Sequence, residues 1–247
     1  MRVHLFATCL LNEFMAGAGI AATRLLRYLG VDVEAPARQT CCGQPAFNAG
    51  YDEEARRMAL HTIATFEAAD HVVLPSGSCA AMVRNHYTDL FAGEDAARAA
   101  ALAARTWELT QFIVRVLGIT NLGDGLQGRR IAWHAGCHAL RDLGVRDEPV
   151  TLMKNAGAQI VEWEAAEECC GFGGLFSVKF ADVSVAMADR KLDTLPPAAD
   201  LLVSGDGGCL LQLDGRIRRR GLDLPVRHIA EVLLEAVRGP EVAHGRA

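Results

Sequence analysis

Short apolar runs alternate with longer amphipathic stretches along almost the whole chain. Val3 to Ala7 reads as a buried strand, and Asn12 to Tyr28 as a helix with apolar residues at helical spacing, closed by Gly30. Val31 to Glu34 is a second short strand. It is followed by the helical stretch "DEEARRMALHTIATFEAA", the apolar strand "HVVLP", and a helix beginning near Cys79. From residue 131 the order recurs: strand Ile131 to His134, helices from about His138 to Asn155, strand Gln159 to Trp163, helix Phe176 to Leu195 and strand Leu201 to Ser204. The stretches "TWELTQFIVRVLG" and "RHIAEVLLEAVRG" are predicted to end the two halves as helices. Strands this short and apolar, alternating with helices, predict a parallel sheet covered by helices in each half, an α/β fold. The glycine-rich segment Gly118 to Gly128 is the natural boundary, giving domains 1–122 and 123–247, and the tail "GPEVAHGRA" reads as frayed.

The cysteines repeat with the strands. Cys9 is separated by 31 intervening residues from the pair Cys41 and Cys42, and Cys137 by 31 intervening residues from the pair Cys169 and Cys170. A fourth cysteine closes each copy, Cys79 after 36 intervening residues and Cys209 after 38, so all eight cysteines fall in the pattern. Around them "HLFATC" is echoed by "IAWHAGC", and "HVVLPSGSCAA" by "DLLVSGDGGCLL", at an offset of 128 that grows to 130. A period this long implies two similar domains, related by a pseudo-two-fold axis, rather than a solenoid. Each cysteine follows a predicted strand. In a parallel sheet such loops gather at the carboxyl edge, where ligands bind, and three loops per domain would bring four thiols together there.

Composition narrows what those thiols do. Apolar residues make up 51% and charged residues 22%, as in a globular protein, and aromatics at 6% leave the core aliphatic. A net charge of -5 argues against nucleic acid or an anionic membrane surface as partner, since such binding draws on Lys and Arg. The N-terminal apolar run is interrupted at Asn12 and Glu13, and no apolar stretch is long enough to span a bilayer. The expected location is cytoplasmic, where thiols stay reduced and eight cysteines point to metal or redox chemistry instead of a disulfide framework.

Four thiols satisfy an iron-sulfur cluster or a tetrahedral zinc ion, and thiolates also suit copper(I). The paired "CxxC" hooks of common zinc sites are missing. Adjacent cysteines reach one centre only in an irregular loop, which Gly43 and Gly171 favour by tolerating positive φ and letting backbone N-H groups approach. Cys79 and Cys209 lie at predicted helix starts, whose dipole favours a thiolate. A dithiol switch between adjacent cysteines is a separate reading, because such a disulfide is strained and easily reduced.

Other candidates carry simpler explanations beside the sharp ones. His134 and His138 flank Cys137 and are candidates for ligation or proton transfer, against a reading as core groups. Gln44 and Pro45 read as shaping their loop. The G-x-G-x-x-A match at Gly17 to Ala22 starts too far from its strand for a nucleotide fingerprint, and reads as helix packing. Arg216, Arg218, Arg219 and Arg220 form a solvated basic face, or else a dock for an acidic partner or carboxylate substrate, with Lys179 a weaker candidate for the same role. No flavin, nicotinamide or general-base constellation is evident, so no catalytic residue is assigned.

The arrangement of Cys, "CCG" and Cys resembles the duplicated cysteine-rich domain found in heterodisulfide reductase and in the iron-sulfur component of glycolate oxidase. Over nearly the whole chain, "TCCGQPAFNAGY", "LPSGSCAAMVR", "ECCGFGGLFSVK", "GCLLQLDGRIRRRG" and "HIAEVL" are similar to the lactate utilization protein A family. That resemblance implies two Rossmann-like domains and an iron-sulfur oxidoreductase subunit. It would act with companion proteins, a ferredoxin-like iron-sulfur protein among them, to oxidise L-lactate to pyruvate. It implies that all eight cysteines hold iron-sulfur clusters, of 4Fe-4S type and one per domain, with zinc in one or both sites as the alternative. The heterodisulfide reductase relatives end each copy in "CxxC", giving five cysteines around a non-cubane cluster. Here Met82 and Gln212 take the fifth position, which leaves a cubane, a cluster completed by another ligand, or zinc open.

Overall fold

The computed structural model describes residues 1–238; the tail read as frayed lies outside the described residues. Its framework is a pair of four-stranded, wholly parallel sheets. The first contains β1 (Arg2–Leu5), β2 (Asp32–Glu34), β3 (His71–Leu74) and β4 (Thr106–Glu108) in the order β2-β1-β3-β4. The second contains β5 (Arg130–His134), β6 (Gln159–Ile160), β7 (Leu201–Ser204) and β8 (Val226–His228) in the order β6-β5-β7-β8. The register repeats as well, with Val3 opposite His71 in one sheet and Ile131 opposite Leu201 in the other. The α/β fold and its duplication are therefore as the sequence predicts.

Two strands lie where the sequence pattern predicts only helix. Both stretches expected to be helical throughout begin as edge strands, β4 and β8, and turn into helix only at Leu109 and Ile229. Three residues are too few to show a period of two, so the helical pattern that follows them dominates the reading. Some helices are also divided. The expected Asn12 to Tyr28 helix is Cys9–Phe14 and Ala16–Tyr28, broken at Met15 (φ -138°), and the Phe176 to Leu195 helix is broken at Phe180 (φ -127°) into Leu175–Lys179 and Ala181–Asp193. The second-half strand expected to reach Trp163 stops at Ile160.

The two sheets are not separate bodies. One apolar core contains Val3, Leu25, Leu26 and Phe112 together with Ile131, Leu152, Leu201 and Leu233. Helix Ala16–Tyr28 packs against helix Ile229–Arg238 across it, and the segment between the sheets is pinned there, with Gly125 N-H donating to Ala236 O at 3.2 Å. Burying each such Leu or Phe stabilises by about 1.5–3 kcal/mol, and this shared core fixes how the two carboxyl edges face one another. Gly17 lies where a Cβ would come within 3.2 Å of Glu231 Oε1, so the first glycine of the G-x-G-x-x-A match serves helix packing.

The helices that carry the cysteines also cross between halves. Gly77–Ala81 packs on Cys137–Arg141, and Cys9–Phe14 on Gly207–Arg219. A Cβ on Gly77 would meet Ala139 Cβ at 2.4 Å, and one on Gly207 would meet Leu11 Cδ1 at 2.8 Å. Among the described residues no helix is long and apolar enough to cross a membrane.

Candidate metal centres

In each half the four thiols arrive from three strand-to-helix loops. Cys9 opens the helix after β1, on a turn made by Thr8, the one described non-glycine residue with positive φ (64°). The β1 and β2 loops are tied together by Ala7 N-H donating to Gln39 Oε1 at 2.7 Å. Cys41 and Cys42 occupy irregular backbone before helix Gln44–Asn48, and Tyr87 O-H donates to Cys42 O at 2.8 Å from the core below. Cys79 is the third residue of helix Gly77–Ala81, whose cap Ser76 accepts from Cys79 N-H. The second half repeats the plan with Cys137 opening its helix, Cys169 and Cys170 in a loop, and Cys209 third in helix Gly207–Arg219.

The sulfurs form two connected chains. Cys9 Sγ lies 3.5 Å from Cys41 Sγ, Cys41 contacts Cys42, and Cys42 contacts Cys79. Likewise Cys137 contacts Cys169, Cys169 contacts Cys170, and Cys170 contacts Cys209. All eight cysteines are free thiols. Both "CCG" glycines have positive φ, 86° at Gly43 and 85° at Gly171, and each turns its N-H onto a sulfur, Cys41 Sγ and Cys169 Sγ, at 3.4 Å. Phe172 N-H adds a donor to Cys170 Sγ at 3.5 Å.

Crowding separates the thiols electrostatically. Hydrogen bonds from Cys42 and then Cys9 push the Cys41 thiol down to about 3, and those from Cys137 and then Cys170 push Cys169 down to about 2. Their partners move the opposite way: Cys9, Cys42, Cys137 and Cys170 are raised, first by those same hydrogen bonds and then by burial. Four thiols in such contact ionise together only beside a compensating cation. Soft donors held this close, with N-H groups already turned toward them, suit a thiophilic metal or an iron-sulfur cluster in each half.

Both sets open onto one cavity of about 730 Å³, lined by all eight cysteines. Asp206 bridges its wall: Oδ2 accepts from Ser78 N-H of the opposite half at 2.7 Å, and Oδ1 from Gly208 N-H at 3.3 Å. Burial raises its carboxyl, and the Ser78 hydrogen bond opposes that rise. His138 also lines the cavity, with Nδ1 2.6 Å from Asp142 Oδ2.

Several sequence candidates have structural duties. Gln44 Nε2 donates to Ser78 O at 3.1 Å, and Gln44 and Pro45 also line the cavity. Met82 is fully buried in the first half's core, and Gln212 Nε2 donates to Ser184 Oγ at 2.8 Å, which in turn donates to Gly171 O at 2.7 Å. Of the basic run, Arg216 forks onto Asp189, Arg220 reaches Asp193, and Arg218 pairs with Asp214. These pairings favour the solvated face over a free cationic dock. Lys179 is exposed and does not line the cavity.

Lys191 is a buried cation that the sequence pattern alone does not single out. Its ammonium is fully buried, donates to the carbonyls of Ala165, Ala166 and Glu168, and lies 4.2 Å from the centre of the Trp163 ring. Burial lowers it to about 8, while the nearby thiols Cys170 and Cys209 hold it up. The corresponding first-half helix, Asp52–Phe66, buries Ala55, Ala59, Thr62, Ile63 and Phe66 and no charge. That contrast between the copies is the signal that could have found it.

Comparison with known proteins agrees with the duplicated plan. The sequence profile of the cysteine-rich CCG domain matches residues 3–84 and again 131–214. The chain is 48% identical over 237 residues to lactate utilization protein A of Geobacillus sp. (strain WCH70), covering 94% of this chain and 99% of that one. It is 48% identical to lactate utilization protein A of Macrococcus caseolyticus (94% and 96% covered) and 46% identical to that of Exiguobacterium sp. (96% and 98% covered). With both cysteine-rich copies matched and end-to-end similarity at this level, the chain belongs to the lactate utilization protein A family.

Proposed function

We propose that this protein is the iron-sulfur electron-transfer subunit of an L-lactate-oxidising complex, with one 4Fe-4S centre in each half. The observation that carries the reading is the convergence of two four-thiol sets on one cavity, in a chain similar end to end to proteins named for lactate utilization. Cys9, Cys41, Cys42 and Cys79 would hold the first centre, and Cys137, Cys169, Cys170 and Cys209 the second. Such a centre supplies single-electron transfer at a potential set by its surroundings. The chain's own contributions are the N-H donors of Gly43, Gly171 and Phe172, which stabilise electron-rich sulfur, and the Lys191 ammonium, which favours added negative charge in the second half.

The lactate chemistry is then shared with companion proteins in the cytoplasm, a ferredoxin-like iron-sulfur protein among them. Mixing the anaerobic protein with those companions and L-lactate is expected to bleach its visible absorption in proportion to lactate consumed. Lactate oxidation by the companions at the same rate without this protein would overturn the reading.

A further inference from the structure

The two cysteine sets are copies in spacing but differ in what stands behind them. His134 ends β5, fully buried, and its ring meets that of Trp163 edge-on at 6.5 Å. Nδ1 lies 3.2 Å from Ala166 O, which can only accept, so Nδ1 carries the proton and Nε2 keeps a free lone pair. Nε2 is buried and has no partner in the protein. A nitrogen of this ring, Cys170 Sγ and Cys209 Sγ all lie within 4.8 Å of one another. Nδ1 thus has its partner, and Nε2 is the ring atom left for another one.

We propose that His134 is a fifth donor to the metal centre of the second half, bound through Nε2, so that the two centres have different ligand sets. The proposal rests on the reading that each half holds a metal centre. A ligating histidine typically donates its other N-H to a backbone carbonyl, which is the role Ala166 O plays here. Lys191 Nζ donates to the same carbonyl at 3.2 Å, which helps hold Ala166 O in place as the partner of Nδ1. Thiolate with imidazole suits iron or zinc. Gln212, where related chains have a fifth thiol, spends its amide on Ser184.

The first half has no counterpart. Phe6 occupies the position equivalent to His134, and its ring packs on Phe66 at 4.9 Å between centroids. The first centre thus has four thiolates, and the second has four thiolates and an imidazole.

The test is pulsed electron-spin resonance of the full-length, dithionite-reduced protein, unlabelled and grown with ¹⁵N-histidine. A hyperfine coupling from a directly bound nitrogen is expected, shifted by the label and lost in His134→Phe, which places the first half's residue in the second. If the second half carries zinc, X-ray absorption at the zinc edge should show imidazole scattering that the same variant removes. The labelling comparison needs no variant, so the proposal stands or falls even if His134→Phe misfolds. Metal in both halves without histidine coupling or scattering overturns the proposal alone. Protein that binds no metal under anaerobic purification overturns the functional reading as well.

Discussion

Replacing Cys170 with serine is expected to remove one of two metal centres, cutting bound metal and labile sulfide to about half. Cys170 is the middle of its chain of sulfurs, in contact with Cys169 and Cys209, and buried at 3% exposure. A serine oxygen there is a harder donor on a shorter bond, and the thiolate that a soft metal prefers is lost. Cys42, in contact with Cys41 and Cys79 and buried at 1% exposure, has the same place in the first half. Cys42→Ser should therefore remove the other centre, and the double variant both. Metal and sulfide counts on anaerobic protein, with circular dichroism to confirm folding, read this directly. A single variant that keeps both centres contradicts one centre per half.

The second large effect is expected at Gly171. Its φ of 85° already disfavours any side chain, and an added Cβ would lie 2.5 Å from Ser184 O and 3.1 Å from Met187 Cβ. Ser184 belongs to helix Ala181–Asp193, so its carbonyl cannot move aside without disturbing that helix. At Gly43 the φ is 86°, but the nearest atom to an added Cβ is Met58 Cβ at 3.3 Å. Gly43→Ala should cost about 1–2 kcal/mol for the left-handed backbone. Gly171→Ala adds steric overlap and should cost at least about 3 kcal/mol, with loss of the second centre, because Gly171 N-H is also the donor to Cys169 Sγ. Denaturation midpoints of the two variants check the difference. Equal destabilisation would contradict the asymmetry of the two loops.

What the sequence made legible was what recurs along it. The strands that became β1, β3, β5 and β7 are apolar runs, and the cysteine spacing repeats closely enough to define two sites before any contact is known. Edge strands β4 and β8 escaped because three residues leave no period. The meeting of both sites on one cavity was hidden for a different reason: it depends on how the sheets face each other, which the shared core decides. Asp206 and Ser78 are 128 residues apart and meet only across that interface. Lys191 looked like one more charge on an amphipathic helix, and only its burial against three carbonyls sets it apart. His134 was visible beside Cys137, but the bond made by one nitrogen and the freedom of the other are facts of three dimensions.

Anaerobic purification followed by counts of iron, acid-labile sulfide and zinc, with a visible spectrum, tests the central claim most directly. Two 4Fe-4S centres predict about eight iron and eight sulfide ions per chain and broad visible absorption. A colourless protein holding stoichiometric zinc, or a metal-free one in which Cys41 and Cys42 cycle between dithiol and disulfide, would contradict it.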